Sequence, residues 1–147
     1  MAMIDRYDQL LRAFAAHLGI DEDTFADTQE VVIDGLAVGL DLEGTEDFAD
    51  VVYFCTLGAP ARARVAEVYK TALQANYLWA GTGGATISLQ PETDRFLIAG
   101  RVDLDGLEAA GLAALLDAFV DTAGFWKKYI AGETPAAVAD DGAAAAT

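Results

Sequence analysis

The dipeptide Asp34-Gly35 constrains this chain more than any other feature, because it separates two apolar stretches at a spacing that suits a tight hairpin. Both turn positions tolerate positive φ, so Glu30-Val31-Val32-Ile33 and the segment after Gly35 are expected to pair as antiparallel strands. The return strand alternates: Leu36, Val38, Leu40 and Leu42 on one face, Ala37, Gly39 and Asp41 on the other. That period of two marks a strand with one buried face. After an acidic turn from Glu43 to Asp47, the run Val51 to Leu57 is apolar on both faces. It reads as a central strand, or as one that a partner covers.

Helical spacing flanks these strands. Ile4, Tyr7, Leu10, Leu11, Phe14 and Leu18 form one apolar stripe, with Gly19 in the place of a left-handed cap and Ile20 behind it. Asp21 to Thr28 is polar and reads as a loop or a short turn of helix. Pro60 suits the first turn of a second helix, whose stripe runs through Val65, Val68, Tyr69, Ala72, Leu73, Asn76 and Tyr77. Leu78 and Trp79 add apolar surface off that stripe, which suggests a second partner, most economically another copy of the chain. Gly81-Thr82-Gly83-Gly84 closes the helix. Ala85 to Leu89 and Arg95 to Asp103 predict two further strands around a turn at Pro91-Glu92-Thr93-Asp94. A third helix is expected from Asp105, with Glu108 completing a capping-box-like pair and a stripe from Leu112 to Ile130.

The expected fold is therefore α+β: a mostly antiparallel five-stranded sheet with three helices, in the order α-β-β-β-α-β-β-α. Residues 1–131 form one domain, and the Ala-rich segment 132–147 is expected to be disordered.

Composition narrows the function. Hydrophobic residues make up 54% of the 147, enough for a core without staples, and no apolar run approaches the roughly 20 residues of a membrane span. The N-terminus lacks a signal-peptide layout, and the lone Cys55 fits a reducing compartment; the expectation is a soluble cytoplasmic protein. A net charge of -15 repels phosphate backbones and anionic lipid, so neither nucleic-acid binding nor membrane insertion is expected. No Lys or Arg lies between Arg12 and Arg62, while acids recur from Asp21 to Asp50. Such a block keeps a surface soluble, and it can also steer a basic partner segment.

Reactive chemistry is poorly supplied. The glycines at 81–84 follow a helix and have no Lys behind them, whereas phosphate cradles open a helix. Asp41, Glu43, Glu46, Asp47 and Asp50 lack the glycine and glutamate spacing of a calcium loop. His17 and Cys55 are single residues that cannot close a zinc site, and nothing in the sequence pairs them as a nucleophile and base. No enzyme, metal or cofactor is implied. Asn76 interrupts the second helix's stripe and has two readings: a polar residue near the helix end, or an amide that fixes the register of a helix pair.

Taken in order, several segments resemble the Tir chaperone family, the small acidic chaperones of bacterial type III secretion systems. They are Leu10-Leu11 to Ile20, Leu57-Gly58 before Pro60, Leu73 to Leu78, Gly81 to Ala85, Ile87 to Leu89, Phe96 to Ala99, and the helix through Phe119 to Trp126. The resemblance covers about residues 4 to 130. It implies a homodimer that holds the N-terminal region of a secreted effector in a non-globular state, without ATP or metal. The second helix, with Tyr69, Leu73, Asn76, Tyr77 and Trp79, would then form the dimer contact. The client would lie along Leu11, Phe14 and Leu18 of the first helix and along Val31, Ile33, Leu36, Val38 and Leu40 of the strands, in part by strand pairing. The alternative is a small regulatory or ligand-binding α+β module without a role in secretion.

Overall fold

The computed structural model describes residues 2–133. The elements are α1 (Met3–Leu18), α2 (Glu22–Thr28), β1 (Glu30–Ile33), β2 (Leu36–Gly44), β3 (Ala49–Gly58), α3 (Val65–Asn76), β4 (Thr86–Leu89), β5 (Phe96–Asp103) and α4 (Ala109–Ala131). Single 3-10 turns lie at Arg62–Arg64 and Tyr77–Trp79. The five strands form one sheet in the order β1-β2-β3-β5-β4. The pairs β1/β2, β2/β3 and β4/β5 are antiparallel. Most of the proposed tail, residues 134–147, lies outside the described residues.

The α+β class and the five strands agree with the sequence, and the helix count does not. Asp21 to Thr28 contains a fourth helix, α2. Asp21 caps it by accepting the Thr24 N–H at 2.8 Å and the Thr24 hydroxyl at 2.7 Å. Phe25 is buried there and meets the Phe14 ring with centroids 5.4 Å apart. The last helix starts at Ala109 and not at Asp105. The Asp103 carboxylate accepts the Asp105 N–H at 2.9 Å, and Gly106 has φ +75°, so this segment turns before helix can begin.

The hairpin forms as the dipeptide dictates. Asp34 and Gly35 have φ of 50° and 80°, and Ile33 pairs with Leu36 across them. Two residues with positive φ match the twist of the strands, which sets Val31 opposite Val38.

The described chain divides into two compact units, residues 2–54 with 100–120 and residues 55–99 with 121–133. The strands β3 and β5 and the helix α4 each contribute to both. In the first unit, Tyr7, Leu10, Leu11 and Phe14 of α1 are buried, as are Val31, Leu36, Val38, Leu40, Val51 and Tyr53, one face of the strands. Tyr53 stacks edge-on to Phe119 at 4.9 Å. Each such side chain contributes about 1.5–3 kcal/mol by leaving water. On the opposite face, Gly39 lies beneath the Phe54 ring, where an added Cβ would collide with it. Glycine is required at that site by close approach.

In the second unit, Val68, Ala72, Ile87, Phe96, Ile98, Ala123, Trp126 and Ile130 are buried. Tyr69 of α3 meets Phe96 edge-on at 5.5 Å. Trp126 lies between Phe125 and Tyr129, with centroids 5.6 Å away on both sides. The Arg64 guanidinium sits 5.1 Å from the Tyr129 ring centre and donates to the Ile130 carbonyl at 3.1 Å.

Helix α4, 23 residues long, has the length and hydropathy of a membrane span. Its apolar stripe is nevertheless buried in the protein, and Asp117, Asp121, Lys127 and Lys128 are exposed. That is the pattern of a core helix.

Candidate functional site

A sheet of this kind has two outer strands, and their backbones are treated differently. Along β1, the register places the N–H and C=O groups of Val31 and Ile33 toward β2. The Gln29 carbonyl continues the ladder by accepting the Leu40 N–H at 2.9 Å. The backbone groups of Glu30 and Val32 therefore point away from the sheet. The Glu30 N–H reaches the Thr28 hydroxyl at 3.4 Å, while those of Val32 have no partner among the described residues. Val32 also exposes 67% of its surface. This is an open edge.

The entry to that edge is fixed from outside it. Gln29 ends α2 with φ 53°, and its N–H bonds the Phe25 carbonyl at 2.8 Å. The Tyr7 hydroxyl donates to the Gln29 side chain at 2.6 Å. Burial, with a lesser effect from Asp41, holds the Tyr7 phenol well above its ordinary value of 10.0, so it remains a donor. Arg12 ties α1 to α2 by reaching Asp8 at 3.0 Å and Asp23 at 2.6 Å.

The other outer strand, β4, is closed at its centre. Asn76, at the end of α3, donates its amide N–H to the Ile87 carbonyl at 2.8 Å and accepts the Ile87 N–H at 2.9 Å. The β4/β5 register leaves those two Ile87 groups pointing outward, so the side-chain amide takes the place of a neighbouring strand. The Thr82 hydroxyl donates to the Ala85 carbonyl just ahead of β4. Of the two readings of Asn76 from sequence, neither anticipated this bond.

Beside that closed edge stands an apolar patch. Leu73, Tyr77, Leu78 and Trp79 are exposed by 55–74%. Leu78 and Trp79 have φ of 52° and 57°, a left-handed conformation that costs about 1–2 kcal/mol for each such residue. The surrounding bonds hold it in place. Asn76 is anchored on Ile87, the Gly81 N–H bonds the Ala75 carbonyl at 3.0 Å, and the Trp126 indole donates to the Gly81 carbonyl at 3.0 Å. The patch is thus held rigidly outward.

The residues proposed from sequence fall into distinct groups. Leu11, Phe14, Val31, Leu36, Val38 and Leu40 are buried in the first unit, Ile33 is half-buried, and only Leu18 is exposed. Strand β2, which carries Leu36, Val38 and Leu40, lies between β1 and β3 and has no free edge. On α3, Leu73, Tyr77 and Trp79 are exposed, while Tyr69 and Asn76 are half-buried and engaged within the chain. Sequence reasoning missed Val32 and Phe48 as exposed apolar residues. A strand's alternation shows which residues share a face but not which strand lies outermost, so Val32 carried no readable signal. Phe48 stands in a turn built on the Thr45 hydroxyl, which accepts the N–H groups of Asp47 and Phe48 at 3.2 and 3.1 Å.

The side chains considered for catalysis are not arranged for it. Burial pushes the Cys55 thiol up from its ordinary value, against a smaller opposing pull from Lys127, so the reactive thiolate is disfavoured. His17 is exposed at the end of α1. Among the described residues, no group of three or more His, Cys, Asp or Glu converges on a point where a metal could be held.

An α+β protein with one open strand edge and a rigid apolar patch belongs among binding proteins. Residues 9–127 match the Tir chaperone protein (CesT) family, and the chain belongs to that family. No curated protein sequence matches it. Its fold is similar to a chain of the ExsC–ExsE complex, with TM-score 0.68 and 15% identity over 89% of this chain and 98% of that one. A chain of the HopA1–SchA chaperone–effector complex gives TM-score 0.63 and 16% identity over 85% and 95%. The complex of the Yersinia pestis type III secretion chaperone SycH with a stable fragment of YscM2 also contains a similar chain. There the TM-score is 0.55, with 22% identity over 80% of this chain and 96% of that one.

Proposed function

We propose that this protein is a type III secretion chaperone, a cytoplasmic homodimer that binds the N-terminal region of a secreted effector and keeps it competent for export. Membership of the Tir chaperone family over residues 9–127 carries the reading. The fold is shared with a chain from a complex described as chaperone with effector, which supports it. The protein acts by binding, with no cofactor.

The second unit supports the dimer. Leu73, Tyr77, Leu78 and Trp79 offer rigid apolar surface, and this unit carries five acidic and six basic residues, so two copies can meet there without strong repulsion. Tyr69 and Asn76 shape that contact from beneath, through Phe96 and Ile87.

The open edge of β1 supports the client site. Strand addition supplies backbone bonds that do not depend on client sequence. The six buried residues named above, with Ile33, hold β1 and α1 in place, and Leu18 and Val32 offer the exposed contacts. Strand pairing is thereby assigned to β1, and β2 has a supporting role.

Light scattering of the purified chain should give twice the monomer mass, and deleting its gene should abolish export of one secreted protein whose N-terminal segment co-purifies with the chain. A monomer that leaves export of every secreted protein unchanged would overturn the reading.

A further inference from the structure

The two units differ sharply in charge. Residues 2–54 and 100–120 hold 17 Asp and Glu against three arginines, a formal -14, while residues 55–99 and 121–133 hold five acids against six bases, a formal +1. The open edge of β1 lies in the acidic unit.

That unit's cations are already engaged. Arg6 pairs with Asp105 at 3.2 Å, Arg12 with Asp8 and Asp23, and Arg101 with Asp50 at 2.8 Å. The strand register puts Glu30 and Val32 on the same exposed face as Asp41 and Glu43 of β2. None of those three acids has an ion-pair partner among the described residues. A strand added beside Val32 would continue the alternation, one row of its side chains following the buried face and the other following this acidic face.

We infer that the segment received by β1 is cationic: an extended chain segment with apolar side chains at alternate positions and Lys or Arg between them. This rests on the chaperone reading and adds the chemistry of the client. A neutral edge would accept any strand, including one from another copy of this protein. A carboxylate-lined edge repels the acidic unit of a second copy and attracts a basic segment, so charge separates client from self.

The test uses the full-length protein and three capped, ten-residue probe peptides in which Val alternates with Lys, Ser or Glu. Binding is measured by calorimetry in about 50 mM and about 500 mM salt, and mapped by amide shifts. The Val/Lys probe should bind at least about tenfold more tightly than Val/Ser, shift the Glu30–Ile33 amides, and weaken about tenfold in high salt. A Glu30→Gln, Asp41→Asn, Glu43→Gln variant should lose that preference while keeping its amide spectrum elsewhere. Equal binding of Val/Lys and Val/Ser, shifts that map away from β1, or an unchanged preference in the variant would each overturn the inference, leaving the charge to serve solubility alone. The failures are separable. An effector segment that pairs with β1 with no salt dependence removes the cationic requirement and leaves the chaperone function intact.

Discussion

The strands β1 and β4 are both short, both outermost and both four residues long, yet the outward groups of Val32 in one are free and those of Ile87 in the other are bonded by a side chain. At β4, the Asn76 amide satisfies both outward groups of Ile87. At β1, the corresponding groups of Val32 face outward without a partner, beside an exposed valine and three carboxylates. An exposed edge invites pairing with any extended chain, and proteins usually blunt such edges. Here one edge is blocked by a side chain shaped like a peptide group, and the other is guarded only by charge. The difference leaves the backbone of Val32 available for pairing and that of Ile87 occupied.

The comparison can be broken most severely from the closed side. Trp126→Ala removes a buried indole, two edge-on aromatic contacts and the bond to Gly81, and should cost about 3–5 kcal/mol in denaturant unfolding. Loss of less than about 1 kcal/mol would mean that the turn does not depend on this anchor. Asn76→Leu keeps the side chain's size and deletes its two bonds, leaving Ile87 unsatisfied at a cost of about 1–3 kcal/mol. Hydrogen exchange at the Ile87 amide should accelerate, and larger assemblies should form as the second edge opens. Unchanged exchange would sink the closed-edge reading.

The open side responds to pH through Tyr7. Its phenol titrates above the ordinary value of 10.0 in the folded state, so the stability it contributes is complete below pH 10 and lost as pH rises toward the folded value. Tyr7→Phe should flatten the alkaline limb of the stability curve without removing it, because burial raises Tyr53 in the same direction. The smallest stability effect is expected at Val32→Pro, within about 1 kcal/mol, since its N–H serves no bond inside the sheet. The same variant should lose most client binding in calorimetry. Retained binding would move the client elsewhere.

Much of this was legible in the residues. Asp34-Gly35 and the alternation after it specified the hairpin, its register and its buried face. The stripes of α1 and α4 identified their buried sides, and Leu78 and Trp79 stood out as apolar surface off the stripe of the second helix. Less was legible where two distant segments had to meet. Asp21 to Thr28 read only as a loop or a short turn of helix because its one apolar anchor, Phe25, gains its value only against Phe14. Asn76 looked like an interruption because its partner, Ile87, lies eleven residues on in a different element. Leu11, Phe14 and Val38 were proposed as client contacts from the family resemblance and their hydrophobicity, a property that core and groove residues share.

The sequence by itself determined the element types, the hairpin, the excess of acid in the first half of the chain and the family to which it belongs, because each depends on near neighbours or on composition. Only the tertiary structure decided which strands lie outermost, which apolar residues remain exposed, and that a side-chain amide closes one edge. Those outcomes depend on hydrogen bonds and burial between segments far apart in the chain, and no local pattern records them.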